Sequence, residues 1–397
     1  MARKRANNEG SIWKEGQSWR AAVTLDGRRI SHSFQSKPEC RAWINDMQSQ
    51  ITRGMTYASA QLTLKSYLQK WLDTHKLTLG PKTAPRYEQI TRDYIIPALG
   101  ETKLSDLRLD VVEAHYQTLT TKGLSSRSVR FVHMILHKSL NDAIRRGYLS
   151  RNPIQGAILP RRDQKEMQIL DEDEVMRFLI VVQDNRREAL YNLAVKTGMR
   201  QGELLALKWS DLDWKRSTIR VQRQVQRIPG KGMVFRFPKT RSSRRAIQLG
   251  EQTLDTLRNQ LTRLGLEKAV AGERWQEHNL IFPSTVGTPM GSSNLHKDFK
   301  KQLQKAKLRD IRFHDLRHTA ASLMLNHGVP VLVVSKILGH SKTSTTLDVY
   351  GHLIPVMQEQ AARIMDEVIT PIPVNFGGNI EEESIDNDPR CTSVARQ

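Results

Sequence analysis

The stretch from Val129 to Ile144 places the tightest constraint on what this chain can fold into. Val129, Val132, Ile135, Leu136, Leu140, Ala143 and Ile144 recur at three- and four-residue steps, so on a helix they form one continuous stripe. A helix with such a stripe is marginal alone in water and has to bury it against other helices. Three shorter stripes lie upstream: Leu64, Tyr67, Leu68, Trp71 and Leu72; Tyr87, Ile90, Tyr94 and Ile95, halted by Pro97 and Gly100; and Val111, Val112, His115, Tyr116 and Leu119. Residues 61–153 therefore read as one helical domain. The opposite face of the long helix carries Arg127, Arg130, His133, His137 and Asn141, side-chain types suited to phosphates and base edges. A merely solvated face would have the same composition.

The periodicity changes on either side. Ser11–Lys14, Trp19–Leu25 and Arg28–Phe34 are strand-like, and Asp26-Gly27 marks a tight hairpin. With a helix from Pro38 to about Arg53, they predict a small three-stranded β domain over 1–57. Lys14, Arg20, Arg28 and Arg29 give its sheet a basic face that fits a DNA groove as well as it fits solvent. Residues 154–168, with Gly156 and Pro160-Arg161-Arg162, read as an exposed linker. A third segment, 169–370, opens on the helix-start signal Asp171-Glu172-Asp173-Glu174. Its next helix ends at Thr197-Gly198. Strands follow over Thr218–Arg227 and Met233–Phe237, joined by Pro229-Gly230-Lys231-Gly232, then at Arg245–Leu249, before helices resume. Residues 371–397, with Glu381, Glu382, Glu383, Asp386 and Asp388, read as an acidic disordered tail. The expected fold class is mainly α and multidomain: a small β domain, a helical domain, and an α-rich domain with a small antiparallel sheet.

Charge narrows the partners. The chain carries 62 Lys and Arg against 41 Asp and Glu, a net +21. Cations that neutralise phosphates release condensed counterions, so such a surplus favours a nucleic acid. An anionic membrane would call for a basic amphipathic helix, which is not found. No apolar run approaches the ~18 residues of a membrane span, and the basic start lacks the apolar core of a secretory signal. Cys40 and Cys391 cannot make a disulfide framework. The chain reads as soluble and intracellular, cytoplasmic and nucleoid-associated.

Five pieces of the third segment carry chemistry. They are Thr197-Gly198-Met199-Arg200-Gln201-Gly202-Glu203-Leu204; Phe237-Pro238-Lys239-Thr240; His314-Asp315-Leu316-Arg317; Leu338-Gly339-His340; and Tyr350, ten residues beyond His340. Each is weak alone. Together, two arginines, a lysine, two histidines and a tyrosine are the parts for attack on a phosphodiester. Two guanidinium forks can hold the non-bridging oxygens as negative charge builds on them. A tyrosine, with an ordinary pKa near 10, needs neighbours to take its proton. A phosphotyrosine ester stores the bond energy, so resealing needs no ATP. The leaving 5′-oxygen needs a proton, which a desolvated lysine can supply. Other chemistries fit less well. His314 and His318 have a zinc-ligand spacing, but Arg317 would face the same metal and no glutamate follows His314. There is no phosphate-loop motif. Val331–Thr345 superficially resembles a helix-turn-helix, yet His340 and Tyr350 are better explained by catalysis.

These motifs, together with His314-Asp315-Leu316-Arg317-His318-Thr319 and Thr345-Thr346-Leu347-Asp348-Val349-Tyr350-Gly351-His352, resemble the tyrosine recombinase (phage integrase) family. The resemblance is strong over about 165–370. It extends over 60–150 as a helical core-binding DNA domain, and more weakly over 1–57 as an arm-type DNA-binding domain. It implies that Arg200 and Arg317 hold the scissile phosphate and that Lys239 protonates the leaving 5′-oxygen. It further implies that His314 assists proton removal, that His340 donates a hydrogen bond to the phosphate, and that Tyr350 becomes the 3′-phosphotyrosyl link. Glu203 is expected to buttress Arg200. No cofactor or metal is implied. The implied partners are double-stranded attachment sites, a homotetramer on DNA exchanging strands through a Holliday junction, and accessory DNA-bending or directionality factors. The apolar stripe Met357, Ala361, Ile364, Met365 and Val368 then reads as a helix that docks on a neighbouring subunit, against the alternative of packing on its own domain. The expected function is integration or excision of a phage or other mobile element. The alternatives are a topoisomerase-like DNA relaxer and a regulator that binds DNA without catalysis.

Overall fold

The computed structural model describes residues 10–52, 61–162, 167–237, 244–350 and 362–369. It divides into two compact units, Met1–Glu166 with Ile228–Gly232, and Met167–Arg227 with Met233–Gln397.

In the first unit, β1 (Ser11–Glu15), β2 (Ser18–Leu25) and β3 (Arg28–Phe34) form an antiparallel meander, with Leu25 paired to Arg28 across the Asp26-Gly27 turn. Both turn residues have positive φ, as the hairpin requires. Ala21, Val23 and Leu25 point to one face and meet Cys40, Ile44 and Met47 of α1 (Lys37–Thr52) in a small core. The helical part follows: α2 (Leu64–His75), α3 (Thr83–Ile90), α4 (Ile96–Leu99), α5 (Leu109–Thr121) and α6 (Ser126–Arg145). Ser125 caps α6 by accepting from the Ser128 amide. The stripe residues Val129, Val132, Ile135, Leu136 and Leu140 are fully buried among Leu64, Trp71, Ile90 and Tyr116. Two local features differ from the sequence expectation. A single π-helical turn, Thr91–Ile95, links α3 to α4 without a break, so the helix runs on past the expected stop and Pro97 is the second residue of α4. The first half of the expected open linker is also tied down: Ile154 is in the core, and Ala157 and Leu159 pack against it.

The second unit begins with α7 (Glu172–Val181), whose N-terminus closes in a reciprocal capping box between Asp171 and Glu174. Next come α8 (Glu188–Thr197), the single-turn α9 (Gln201–Leu204) and the short strands β4 (Leu212–Asp213) and β5 (Thr218–Val221). The hairpin β6 (Gln224–Ile228) and β7 (Gly232–Arg236) follows, then β8 (Arg245–Gln248). The sheet order is β4-β5-β8, antiparallel, with β6-β7 as a separate ribbon. The single strand expected over 218–227 is thus two strands in two sheets. The break falls at Gln222-Arg223, whose side chains both turn to the buried carboxylate of Asp211. The helices that resume are α10 (Glu251–Ala271), α11 (Ser292–Lys305), α12 (Asp315–Asn326), α13 (Val331–Leu338) and α14 (Thr343–Tyr350). The core centres on α8, almost wholly buried, with Phe178, Tyr191, Phe299 and Phe313 meeting in an aromatic cluster. No helix among the described residues is long and apolar enough to cross a membrane.

Candidate active site

The site lies where the ends of α8, α12 and α13 converge. Gly198 ends α8 in the left-handed conformation (φ +60°). A Cβ there would stand 2.6 Å from Leu338 Cδ2 and 3.3 Å from Ala320 Cβ, so only glycine lets the helices close up. The turn that follows delivers Arg200 to the N-cap of α9. From the other side Arg317, on the first turn of α12, donates through Nη1 to the Gly198 carbonyl at 2.8 Å. That turn is itself fixed by Asp315, which accepts from the backbone and guanidinium of Arg312 at 2.8 and 2.7 Å.

One buried carboxylate organises the cations. Glu203, 3 % exposed, accepts from Arg200 Nη1 at 2.9 Å and from Arg245 Nη2 at 2.9 Å. Burial pushes its carboxyl upward, but Arg245 and Arg200 outweigh this and hold it below the usual range. Arg245 reaches from β8 to donate also to the Ile337 carbonyl at the end of α13, beside Gly339. It was not singled out in the sequence, where Arg245 only opens the strand expected over Arg245–Leu249.

Arg317 is different. It is 4 % exposed, and its Nη2 is buried with no hydrogen-bond partner among the described residues. Burial and the like charge of Arg200 pull its pKa down to about 9. A guanidinium that is desolvated and only partly paired is a site waiting for an anion.

His340 follows Gly339, which takes the left-handed conformation (φ +72°). Its Nδ1 lies 2.8 Å from the hydroxyl of the fully buried Thr346. Burial, with Arg317 and Arg200 nearby, pushes the imidazole down to about 4, so the ring is neutral at physiological pH. In the tautomer where Thr346 donates to Nδ1, Nε2 carries the hydrogen and is a donor. The α13–α14 pair has the helix-turn-helix outline seen in the sequence, but Val334, Leu338 and Tyr350 pack inward with Ala321 and Leu325.

Tyr350 ends α14, 3 % exposed. Burial pushes its phenol up to about 12, against a lowering by Arg317. Its Oη is hydrogen-bonded to His318 Nδ1 at 2.8 Å. In the sequence His318 was named as half of a zinc-type spacing with His314 and within the His314–Thr319 motif, with no role assigned to it, although it follows Arg317 directly. The His314 and His318 rings meet edge to face at 5.4 Å, and His314 presents an exposed edge at the N-cap of α12. Lys239 lies outside the described residues, as do Met357 and Ala361, whereas Ile364, Met365 and Val368 are exposed on a helical stretch.

The basic residues read as DNA contacts have other engagements. Arg20 pairs with Glu15 at 2.7 Å, and Arg29 bonds Ser11 and lies over Trp13, while Arg28 is exposed. On α6, Arg130 donates to the Pro160 carbonyl at 2.9 Å and His133 bonds the Tyr116 hydroxyl at 3.1 Å. His137 bonds Gln155 and Asn141, so this polar face holds down the chain that returns across it, and Arg127 stays exposed.

The chain as a whole matches a known family. The phage integrase family matches residues 168–355, and the phage integrase N-terminal SAM-like domain matches residues 63–122. A "Tyrosine recombinase XerC-like" protein of Caldanaerobacter subterraneus is 30 % identical over 381 residues, covering 89 % of this chain and 97 % of that protein. An integrase of Streptomyces ambofaciens is 28 % identical, covering 93 % of this chain and 98 % of its own length. The chain belongs to the phage integrase family of tyrosine recombinases. Among solved structures, its fold is similar to the Tn1549 transposon integrase in complex with transposon right end DNA. The TM-score is 0.67 at 21 % identity, over 78 % of this chain and 100 % of that one. It is also similar to a lambda integrase dimer bound to a COC′ core site, with a TM-score of 0.55 at 17 % identity, over 87 % of this chain and 96 % of that one.

Proposed function

We infer that this chain is a site-specific DNA recombinase, an integrase that cuts and rejoins strands through a 3′-phosphotyrosyl intermediate to integrate or excise a mobile element. The observation that supports this best is the buried Arg317, whose Nη2 has no partner among the described residues, beside Arg200 and within electrostatic reach of a buried tyrosine. A phosphodiester supplies the anion this guanidinium lacks. As Tyr350 Oη attacks, charge grows on the non-bridging oxygens, and Arg317 and Arg200 stabilise it more in the transition state than in the ground state. Neutral His340 adds a donor from Nε2. Lys239 protonates the 5′-oxygen as it leaves, and the ester bond keeps the energy for resealing, so neither metal nor ATP is needed.

The same reading assigns the net charge of +21 to duplex attachment sites. The β domain at 1–57 serves as the arm-binding module, 61–153 as the core-binding module, 154–168 as the connection, and 169–370 as the catalytic domain, with the acidic tail beyond. A lambda integrase tetramer has been solved bound to a Holliday junction. This chain works as a tetramer on DNA too, and the exposed Ile364, Met365 and Val368 offer an apolar face for a neighbouring copy. Bending or directionality factors complete the assembly.

The test is a duplex nicked near the cleavage point. Wild-type protein traps a covalent complex that survives a denaturing gel, and Tyr350→Phe binds the same DNA without forming it. An adduct from the Phe variant would remove Tyr350 as the nucleophile.

A further inference from the structure

The nucleophile's proton has a specific neighbour. Among the described residues, the hydrogen bond at Tyr350 Oη is made by His318 Nδ1, at 2.8 Å, with the two ring centroids 5.9 Å apart. His314 stands one helical turn earlier on α12, at its N-cap. We propose that His318 is the catalytic base that takes the phenolic proton when Tyr350 attacks DNA, a proposal that rests on the recombinase reading above.

The structure supplies what a base at this place needs. The bond length is that of a direct proton-transfer pair, with no intervening water required. His318 sits one residue after Arg317, so a single helical turn carries both the cation for the phosphate and the acceptor for the proton. The ring must be neutral to accept. The groups facing it are His314, Asp315 and Arg317 on α12, Arg312 in the turn before it, His340 from the α13–α14 turn, and Tyr350 from α14. Burial holds the His318 imidazole below its ordinary value. Asp315 opposes that shift, and Arg317 and Arg312 add to it. The ring is therefore neutral at physiological pH, and in the tautomer with the hydrogen on Nε2 its Nδ1 accepts the phenolic hydrogen. The phenol itself, pushed up to about 12, is ionised in only about one molecule in 10⁵ at pH 7 without help.

The step balances. The Oη–H bond breaks and its proton passes to His318 Nδ1. The freed oxygen pair forms the Oη–P bond, the P–O5′ bond breaks, and the 5′-oxygen is protonated by the general acid on the leaving side. On resealing, the incoming 5′-hydroxyl loses its proton to that same group, the Oη–P bond breaks, and His318 returns its proton to Oη.

The test compares single-turnover adduct formation on the nicked duplex, as a function of pH, for wild type, His318→Asn and His318→Ala. Asparagine places Oδ1 near the position of Nδ1, so it keeps an acceptor for the hydroxyl but has no basicity. A role in proton transfer predicts at least about a hundredfold slower adduct formation by His318→Asn, unchanged DNA binding, and loss of the acid limb of the wild-type profile. It also predicts that fluorotyrosine at position 350, a more acidic phenol, restores tenfold or more of the lost rate in the Asn variant. Adduct formation by His318→Asn at the wild-type rate, or a slow variant with an unchanged pH profile and no gain from fluorotyrosine, would overturn the proposal. Should His318→Ala lose its fold, the Asn variant alone decides. A wild-type protein that forms no adduct at all would instead sink the recombinase reading, which keeps the two failures separate.

Discussion

Replacing Glu203 by glutamine probes the carboxylate that holds the cationic site together. Glu203 is 3 % exposed and bridges two guanidiniums. The Arg245 side chain is only 6 % exposed, so this half of the bridge is desolvated, whereas Arg200 at 37 % is screened by water and counts for little. Breaking a buried pair by removing one partner costs about 3–5 kcal/mol. Glutamine keeps the shape and one carbonyl acceptor, which brings the expected loss to about 3 kcal/mol, or roughly a hundredfold in the folding equilibrium. In a unit of this size that corresponds to a fall in melting temperature of about 6–12 °C. The assay is thermal unfolding of the full chain at a series of pH values, following the transition of the second unit. Because the folded carboxyl lies below its ordinary value, its stabilisation is present above the unfolded carboxylate pKa and is lost as pH falls through the folded one. The gap between wild type and variant should therefore be full at pH 7 and close only in strong acid. A variant as stable as wild type at pH 7, or a gap that does not shrink in acid, would refute the reasoning.

Other perturbations follow from the same geometry. Gly198→Ala forces a side chain into the left-handed region and against Leu338, and should cost about 2–4 kcal/mol in urea unfolding. An equally stable variant would mean that α8 and α13 do not need this close approach. His340 is held down to about 4 in the fold against 6.5 when free, so the unfolded chain binds the extra proton between those values. Stability should be fullest above about 6.5 and decline as pH falls toward 4, and His340→Gln should flatten that part of the curve. Asp171→Ala removes one half of a capping box and should lower stability by about 1 kcal/mol without changing adduct formation, as urea titration and the nicked-duplex assay would show.

Much of this was legible along the chain because the signals are local. Asp171 and Glu174 announce a helix start through their own spacing, Asp26-Gly27 announces a hairpin, and the stripe from Val129 declares which face is buried. Arg200, Arg317, His340 and Tyr350 stood out because their residue types and order suit the chemistry proposed above. What stayed hidden depends on partners remote in sequence. Alternation cannot reveal that Asp211 draws Gln222 and Arg223 out of a strand, nor can apolar spacing alone reveal one π turn at Thr91–Ile95. The polar face of α6 was visible, but not that His133 and His137 meet Tyr116, Gln155 and Asn141. Arg245 looks like any basic residue until it is seen on Glu203, and His318 until it is seen on the tyrosine.

The most direct measurement of the central claim is the chemical identity of the trapped linkage. Digestion of the covalent complex with nuclease and trypsin, followed by tandem mass spectrometry, should place a nucleotide, joined through its 3′-phosphate, on Tyr350 within the tryptic peptide spanning 343–363. A nucleotide on another side chain, or one joined through a 5′-phosphate, would contradict the account.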